Sequence, residues 1–562
     1  MTNKRIARSL MEVASLIEIT GGNPFRARAF QRAARTIERL ETPVVTLLAD
    51  GTLTQIQGIG EGLAGQIQSL VDYGTFELRD ELHAVLPPGL LETLRVKGLG
   101  AKKVRRLWKE LGVTSLEELE QAARTGRLAD LDGFGTRSQE SILHHVQLLK
   151  QYRQHRHYAE VFPQAASLVA TLRTLPGILR AEMTGALRRK METIATVEVV
   201  VATRHPEATS ATIAAALPIE ADAMETSSDV LLATFADGLP LRIHLTRPDR
   251  FGTTWWQRTG SDDHIAAFEA AYGAPGHHAD ERALFTSAGL PFIEPELREG
   301  VGELNAVARG TLPALITEDD LQGTLHNHST YSDGAHSLQE MASCARRMGL
   351  SYFGICDHSQ SLRIANGMPV ERVVQQQEEI RRLNEVFQHD GGPPFRIFSG
   401  IESDILADGS LDYPDDVLAS FDFVVASVHT RFNMTETQAT ERILRAVSNP
   451  FTTILGHPTG RLLLAREGYP LDHNAVLAAC AEHGVAVELN ANPYRLDLDW
   501  RWIQEATRLG VLISINPDAH ATDQLTYTRW GIAAARKGWL TAKQCLNALS
   551  LDAFSAWLAA RS

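Results

Sequence analysis

Between Leu325 and His520, histidines and carboxylates recur at the ends of short apolar runs that alternate with helical stretches. The segment LHNHSTYSDGAH starts the series. His326 and His328 are expected to alternate on a strand, so that both imidazoles leave one face; Asp333 and Gly334 follow in a loop. Asp357 and His358 end the run Tyr352–Cys356, and Glu402 follows Phe398–Ile401. His429 follows Ala426–Val428, His457 follows Thr453–Gly456, and Asp518 and His520 follow Asn516 and Pro517. Repeated βα units imply parallel strands, and about seven can close a barrel. Barrels of this kind carry their sites at the C-terminal strand ends. One such residue is ordinarily packed or solvated, but six strand ends bearing imidazole or carboxylate point to divalent metals and hydrolytic chemistry.

Composition narrows the setting. The net charge of −13 and pI near 5.9 exclude an overall electrostatic grip on nucleic acid. Residues 1–150, however, carry 20 Lys/Arg against 18 Asp/Glu, so a local basic surface remains open there. Cys344, Cys356, Cys480 and Cys545 form no CxxC pair, which argues against thiolate zinc or a disulfide framework. The amphipathic N-terminus is not a signal peptide and no stretch is apolar enough to span a membrane, so the expected location is the cytoplasm, with the nucleoid.

Residues 5–40 place apolar side chains at helical spacing, with Arg26, Arg28, Arg32, Arg35 and Arg39 on the other positions, either a solvated face or an anion-facing one. Three glycine turns follow: Gly58-Ile59-Gly60, Gly98-Leu99-Gly100 and a weaker Gly133-Phe134-Gly135. They resemble helix-hairpin-helix motifs, in which glycine allows a tight turn and the N–H groups opening the second helix bind a DNA phosphate without reading sequence. The second turn is the strongest candidate, because Lys102, Lys103, Arg105 and Arg106 follow it.

Residues 151–300 resemble the nucleotidyltransferase core of family X DNA polymerases through Gly185-Ala186, Arg188-Arg189, Glu192-Thr193, Phe251-Gly252 and Thr259-Gly260-Ser261. On that resemblance, the three metal-binding aspartates fall on Thr196, Glu198 and Arg242. Two-metal phosphoryl transfer needs carboxylates there, so no template-directed synthesis is expected. Arg188 and Arg189 face either phosphate or acidic partners. The lysine that forms a Schiff base in related lyases falls on Gln66, which cannot form an imine.

The motifs HxH with SDG, DHS, GIESDI, ASVH, GHPTGR and PDAH resemble the PHP (polymerase and histidinol phosphatase) domain over residues 320–530. The fused arrangement resembles bacterial PolX, a family X polymerase with a C-terminal PHP domain. The resemblance implies a multidomain α and α/β chain. Helical hairpin-motif domains span 1–80 and 81–150, a nucleotidyltransferase-like α+β palm 151–240 and a thumb-like domain 241–312. A distorted (β/α)7 PHP barrel spans 320–562.

The resemblance also implies three metals. His326, His328, Glu402 and Asp518 would hold the first, Glu402, His429 and His457 the second, and Asp333, His358 and His520 the third. Mn2+ is the first expectation, with Zn2+ or Fe2+ equally compatible with the donors. His326, His328, Glu402, His429 and Asp518 would carry catalysis. Arg461 would bind a phosphate oxygen or form a structural ion pair, and Asn490 and Asn492 could position substrate. The implied function is DNA repair by 3′–5′ exonuclease action on gapped or 3′-ended duplex, with abasic-site endonuclease and 3′-phosphatase activity as extensions, by a monomer. The alternatives are an active polymerase with proofreading, a small-molecule phosphatase and a DNA-binding scaffold.

Overall fold

The computed structural model describes all residues except 2, 39, 41, 218–223, 227–228 and 562, so Arg39 lies outside the described residues. The chain divides into two compact units, Met1–Gln154 and His155–Ser562.

The first unit is helical. Its glycine turns have one geometry three times. Gly58, Gly98 and Gly133 adopt φ of 95°, 87° and 80°, a region that costs glycine little and other residues much. The apolar residue after each (Ile59, Leu99, Phe134) is buried, and its N–H donates to the carbonyl three residues back at 3.0 Å. Gly60, Gly100 and Gly135 then begin the helices α1 (Glu61–Tyr73), α2 (Ala101–Leu111) and α3 (Thr136–Arg153). The third turn is thus as complete as the others, although its sequence reads as the weakest. The conformation depends on two glycines and one buried side chain, and Phe134 serves as well as an aliphatic residue.

The second unit contains two sheets of five and seven strands. The five-stranded sheet comprises β1 (Ile178–Met183), β2 (Val197–Thr203), β3 (Met224–Thr226), β4 (Val230–Thr234) and β5 (Pro240–Thr246), in spatial order β1-β2-β5-β4-β3. The strand β5 pairs parallel to β2, so this core runs past the boundary expected at residue 240. Valines 197, 199 and 201 face one apolar cluster, while Val200 and Ala202 pack under Phe251 on the other side. Such two-sided burial favours β-branched residues.

The other sheet is all parallel: β6 (Gly323–Thr324), β7 (Tyr352–Ile355), β8 (Arg396–Asp404), β9 (Phe423–Ser427), β10 (Ile454–Leu455), β11 (Ala486–Asn490) and β12 (Ile513–Asn516), in that spatial order. It curls into the expected seven-stranded barrel. Gly354 and Gly400 are required inside it, since a Cβ at either would meet the Phe423 ring at 2.6 or 2.4 Å. The first strand is shorter than expected, and His326 and His328 lie beyond it. They flank Asn327, which bridges to Ala519 and brings the first strand beside the last. The Asn547 side chain supplies hydrogen bonds that a continuous ladder would have made. Its Nδ2 donates to the Gly323 carbonyl (3.2 Å), and its Oδ1 accepts from the Ile515 N–H (2.7 Å).

Candidate metal centre

All nine candidate ligands lie at the C-terminal end of the barrel strands, and their donor atoms converge. Glu402, the last but two of β8, is central. Its Oε1 lies 2.9 Å from His457 Nε2, 3.1 Å from His429 Nε2 and 3.3 Å from His326 Nε2. Its Oε2 lies 2.7 Å from His358 Nδ1. Asp518 Oδ1 is 3.1 Å from His328 Nε2. Asp333 Oδ1 stands 3.5 Å from His358 Nε2 and 3.4 Å from His520 Nε2. Three sets of donors lie mutually within 4.8 Å: His326, His328 and Asp518; His328, Asp333, His358 and His520; His358, Glu402 and His429. His328 and His358 therefore adjoin two sets each, a sharing that the sequence resemblance does not imply. His336 lies outside these sets, and its Nδ1 accepts from the Thr522 N–H.

The cluster fits divalent ions. His326 Nε2 is buried without a hydrogen-bond partner, although carboxylate oxygens lie 3.3 and 3.7 Å away. Bonds of about 2.0–2.2 Å from one ion separate neighbouring donors by about 3–3.5 Å, and the donor separations here run from 2.7 to 3.7 Å. Two ligands also sit in left-handed backbone, His457 at φ 24° and Asp518 at φ 53°, a strain of the kind stored at functional sites.

Surrounding residues orient the candidate ligands, and two of them, Glu488 and Asp404, do not stand out in the sequence. The buried Glu488 bonds His326 Nδ1 (2.7 Å) and accepts from the His457 N–H (2.8 Å). It thereby leaves His326 Nε2 as the free donor. Asp404 does the same for His429 through Nδ1 at 2.6 Å. Asn490, a candidate for touching substrate, instead donates to Asp518 Oδ2 (3.0 Å) and Glu488. Asp357, a strand-end residue, ligates nothing. Its carboxylate accepts from the Ser329 N–H (2.8 Å) and hydroxyl (2.7 Å), the Ser332 N–H (3.2 Å) and hydroxyl, and Gln376 (2.6 Å). It holds the loop that carries Asp333.

The charges are strongly coupled. Burial opposes ionisation of Glu402, yet His429, His326 and His358 hold its carboxyl well below the usual range. Burial likewise opposes protonation of His429, but Glu402 and Asp404 raise it to about 10, and Asp333 and Asp518 raise His520 to about 9. His328, buried beside His520 and His358, falls to about 3. Metal-free protein at pH 7 therefore holds protons on His429 and His520 that an ion must displace. Calorimetry in buffers of different ionisation enthalpy should record proton release on Mn2+ binding, with affinity rising with pH. Both folded-state values lie above the unfolded histidine value of about 6.5. Their contribution to metal-free stability is thus full below about pH 6.5 and lost as pH rises through 9 and 10.

Arg461, a candidate phosphate ligand, is committed elsewhere. Its guanidinium bonds Asp499, the Arg495 carbonyl (3.1 Å) and the Leu496 carbonyl. Arg495, whose carbonyl Arg461 bonds, is partnered differently. Its Nε is buried with no hydrogen-bond partner, and its charge, after burial, is what most lowers the neighbouring His457. The sequence gives no reason to prefer Arg495, because the distinction lies in which acceptors surround each arginine.

In the five-stranded core, Glu198 and Arg242 are paired in register and form an ion pair at 3.3 Å. His244 lies 3.8 Å from the same carboxylate. Gly185 is filled by Glu198 as well, since a Cβ there would stand 2.1 Å from Oε2. Thr196 offers no carboxylate. Arg188 binds Glu281 through both Nη atoms (2.8 and 2.6 Å), and Arg189 binds Glu299 (2.8 Å), so both face acids rather than open space.

In the helical unit a Cβ at Gly60, Gly100 or Gly135 would meet nothing within 4 Å, and none of the three helices has a side-chain cap. Gly58 and Gly98 supply the turns before them. Lys102 and Arg105 are exposed, and Lys103 lies 5.1 Å from the Phe134 ring. Arg105 also packs against the backbone position of Gly21. Arg106 pairs with Glu110 and bonds the Asp132 carbonyl, tying the second turn to the third. Arg26, Arg28, Arg32 and Arg35 are exposed on helix Pro24–Glu38.

A parallel barrel with this histidine and carboxylate rim defines a PHP-domain protein, and the PHP domain family matches residues 324–492. The helix-hairpin-helix domain family matches residues 1–76, and the SAM-like helix-hairpin-helix tandem matches residues 90–146, which covers the second and third turns. Over 99% of both chains, the protein is 34% identical to the DNA polymerase/3′–5′ exonuclease PolX of Bacillus subtilis, and it belongs to the PolX family. A probable phosphatase of Acetivibrio thermocellus is 29% identical over 35% of this chain and 78% of its own. One of Aliivibrio fischeri is 29% identical over 36% and 80%. No helix among the described residues is long and apolar enough to cross a membrane.

Proposed function

We propose that the barrel hydrolyses DNA phosphodiesters from a 3′ end and that the polymerase-like core makes no DNA. The observation that carries this is the contrast between the two centres. Eight donor residues group in the barrel with His457 beside Glu402, whereas the core pairs Glu198 with Arg242. Mn2+ is the preferred ion, with Zn2+ next. The ions supply Lewis acidity, lowering the pKa of a water and offsetting charge on the phosphoryl oxygens. The protein does the rest. Glu488 and Asp404 fix which nitrogen of His326 and His429 faces the cavity, Asp357 holds the Asp333 loop, and Arg495 presents a cation to a phosphate oxygen. The uncapped helix starts at Gly60, Gly100 and Gly135 suit backbone phosphates of a gapped or 3′-ended duplex.

With Mn2+ and a 3′-recessed duplex, purified protein should shorten the recessed strand. With all four nucleotides it should not extend a primer. Extension abolished by Glu198→Ala would overturn the reading of the core, and turnover confined to small monoesters would favour a phosphatase. Reversing charge at both Lys102 and Lys103 to Glu should weaken DNA binding uniformly across sequences and flatten its salt dependence by about one to two in slope. Unchanged binding in that variant would remove the second hairpin from the interface.

A further inference from the structure

The segment Arg188–Glu192 of the polymerase-like core joins the barrel through acids shared between cations. Glu299 takes Arg189 and the fully buried Lys537. Glu296 takes Lys190 (2.9 Å) and Arg536 (2.7 Å). Both barrel cations lie at the end of helix Thr528–Lys537. Glu192 is different. This buried carboxylate faces Arg501 (3.4 Å) and Arg461 (3.6 Å), and those two arginines also share Asp499. Arg461 in turn clamps the carbonyls of Arg495 and Leu496. A continuous path therefore runs from Glu192 through Arg461 to the main chain of Arg495, a residue whose charge acts on His457.

We infer that Glu192 is a positioning residue for hydrolysis, and that the core without metal ligands serves as the base holding Arg495 against the metal cluster. The inference rests on the phosphoesterase reading above. Two carboxylates now balance two arginines. With Glu192 neutralised, Arg461 and the more exposed Arg501 compete for Asp499 alone. Arg461 then turns toward it and loosens its hold on the 495–496 carbonyls. Displacement of a charged group by a fraction of an ångström is enough to weaken substrate capture.

The test compares Glu192→Gln, Glu192→Asp, Glu296→Gln and the double variant Glu192→Gln with Arg501→Gln in the full chain loaded with Mn2+. Readouts are metal content, kcat and KM on a 3′-recessed duplex. Glu192→Gln should raise KM about tenfold with kcat within about twofold and metal content unchanged, as expected for lost positioning. Glu192→Asp should retain most of the wild-type KM. Removing Arg501 as well should restore KM, because Asp499 then belongs to Arg461. Glu296→Gln removes an equally buried acid of the same seam and should leave KM alone. An unchanged KM in Glu192→Gln, an equal rise in Glu296→Gln or failure of the double variant to recover would overturn the inference. Hydrolysis that persists in His326→Ala is a separate outcome. It would sink the reading of the site, and with it the inference, whatever the Glu192 variants do.

Discussion

Glu402→Gln is expected to abolish DNA hydrolysis and to cut bound metal per chain. The substitution keeps shape and hydrogen-bonding capacity but removes the one charge that four histidines share, with donor distances of 2.7–3.3 Å. Asp518 reaches His326 Nε2 only at 3.7 Å and stands closest to His328, while Asp333 stands near His358 and His520. Loss of preorganised charge at a site of this kind costs about 10²–10³-fold in rate. Electron paramagnetic resonance of Mn2+ and single-turnover digestion check the two effects separately. Full metal occupancy with wild-type digestion in this variant would remove Glu402 from the centre of the mechanism.

Asp357→Ala should be the most damaging change to stability near the site. The carboxylate is fully buried and accepts from two backbone N–H groups, two hydroxyls and one amide. Alanine strands all five donors where water cannot replace the acceptor, a loss of about 3–5 kcal/mol. It also frees the Ser329–Ser332 turn, so Asp333 should lose its place near His358 and His520. The urea midpoint should fall with an unchanged slope, and one of the bound ions should be lost at protein concentrations where wild type keeps all. A variant as stable as wild type would show that the turn is held by other means. Asp357→Asn, which keeps the shape but adds two donors, should be nearly as destabilised.

Much of the barrel was legible because its period is local. Val424, Val425 and Ala426, or Ala486 and Val487, read as buried parallel strand from composition alone, and the next polar residue falls at the strand end. The hairpin turns were legible for the same reason, since a glycine requirement is written at single positions. The strand before His326 was overestimated. The run Leu325–His328 continues extended, but its hydrogen bonds go to Ala519, Asn516 and Cys356 rather than to one neighbouring ladder. For Arg461 the sequence left phosphate binding and a structural ion pair both open, because GHPTGR places a cation near a candidate ligand, while nothing nearby in sequence announces Asp499 or the carbonyls of Arg495 and Leu496.

The sequence by itself determined the architecture, the types of the nine candidate ligands and the absence of a carboxylate at Thr196 and Arg242, because each depends on the chemistry of one residue or on a short period. Tertiary structure alone decided which groups the charges face. It gave Glu488 and Asp404 their work behind the candidate ligands, turned Arg461, Arg106, Arg188 and Arg189 to protein partners, and left Arg495 Nε buried without one. The reason is physical. A buried charge takes whichever opposite charge or dipole the fold brings within about 3–4 Å, and the partners here come from 25 to 162 residues away in the chain for the two histidine–carboxylate contacts alone.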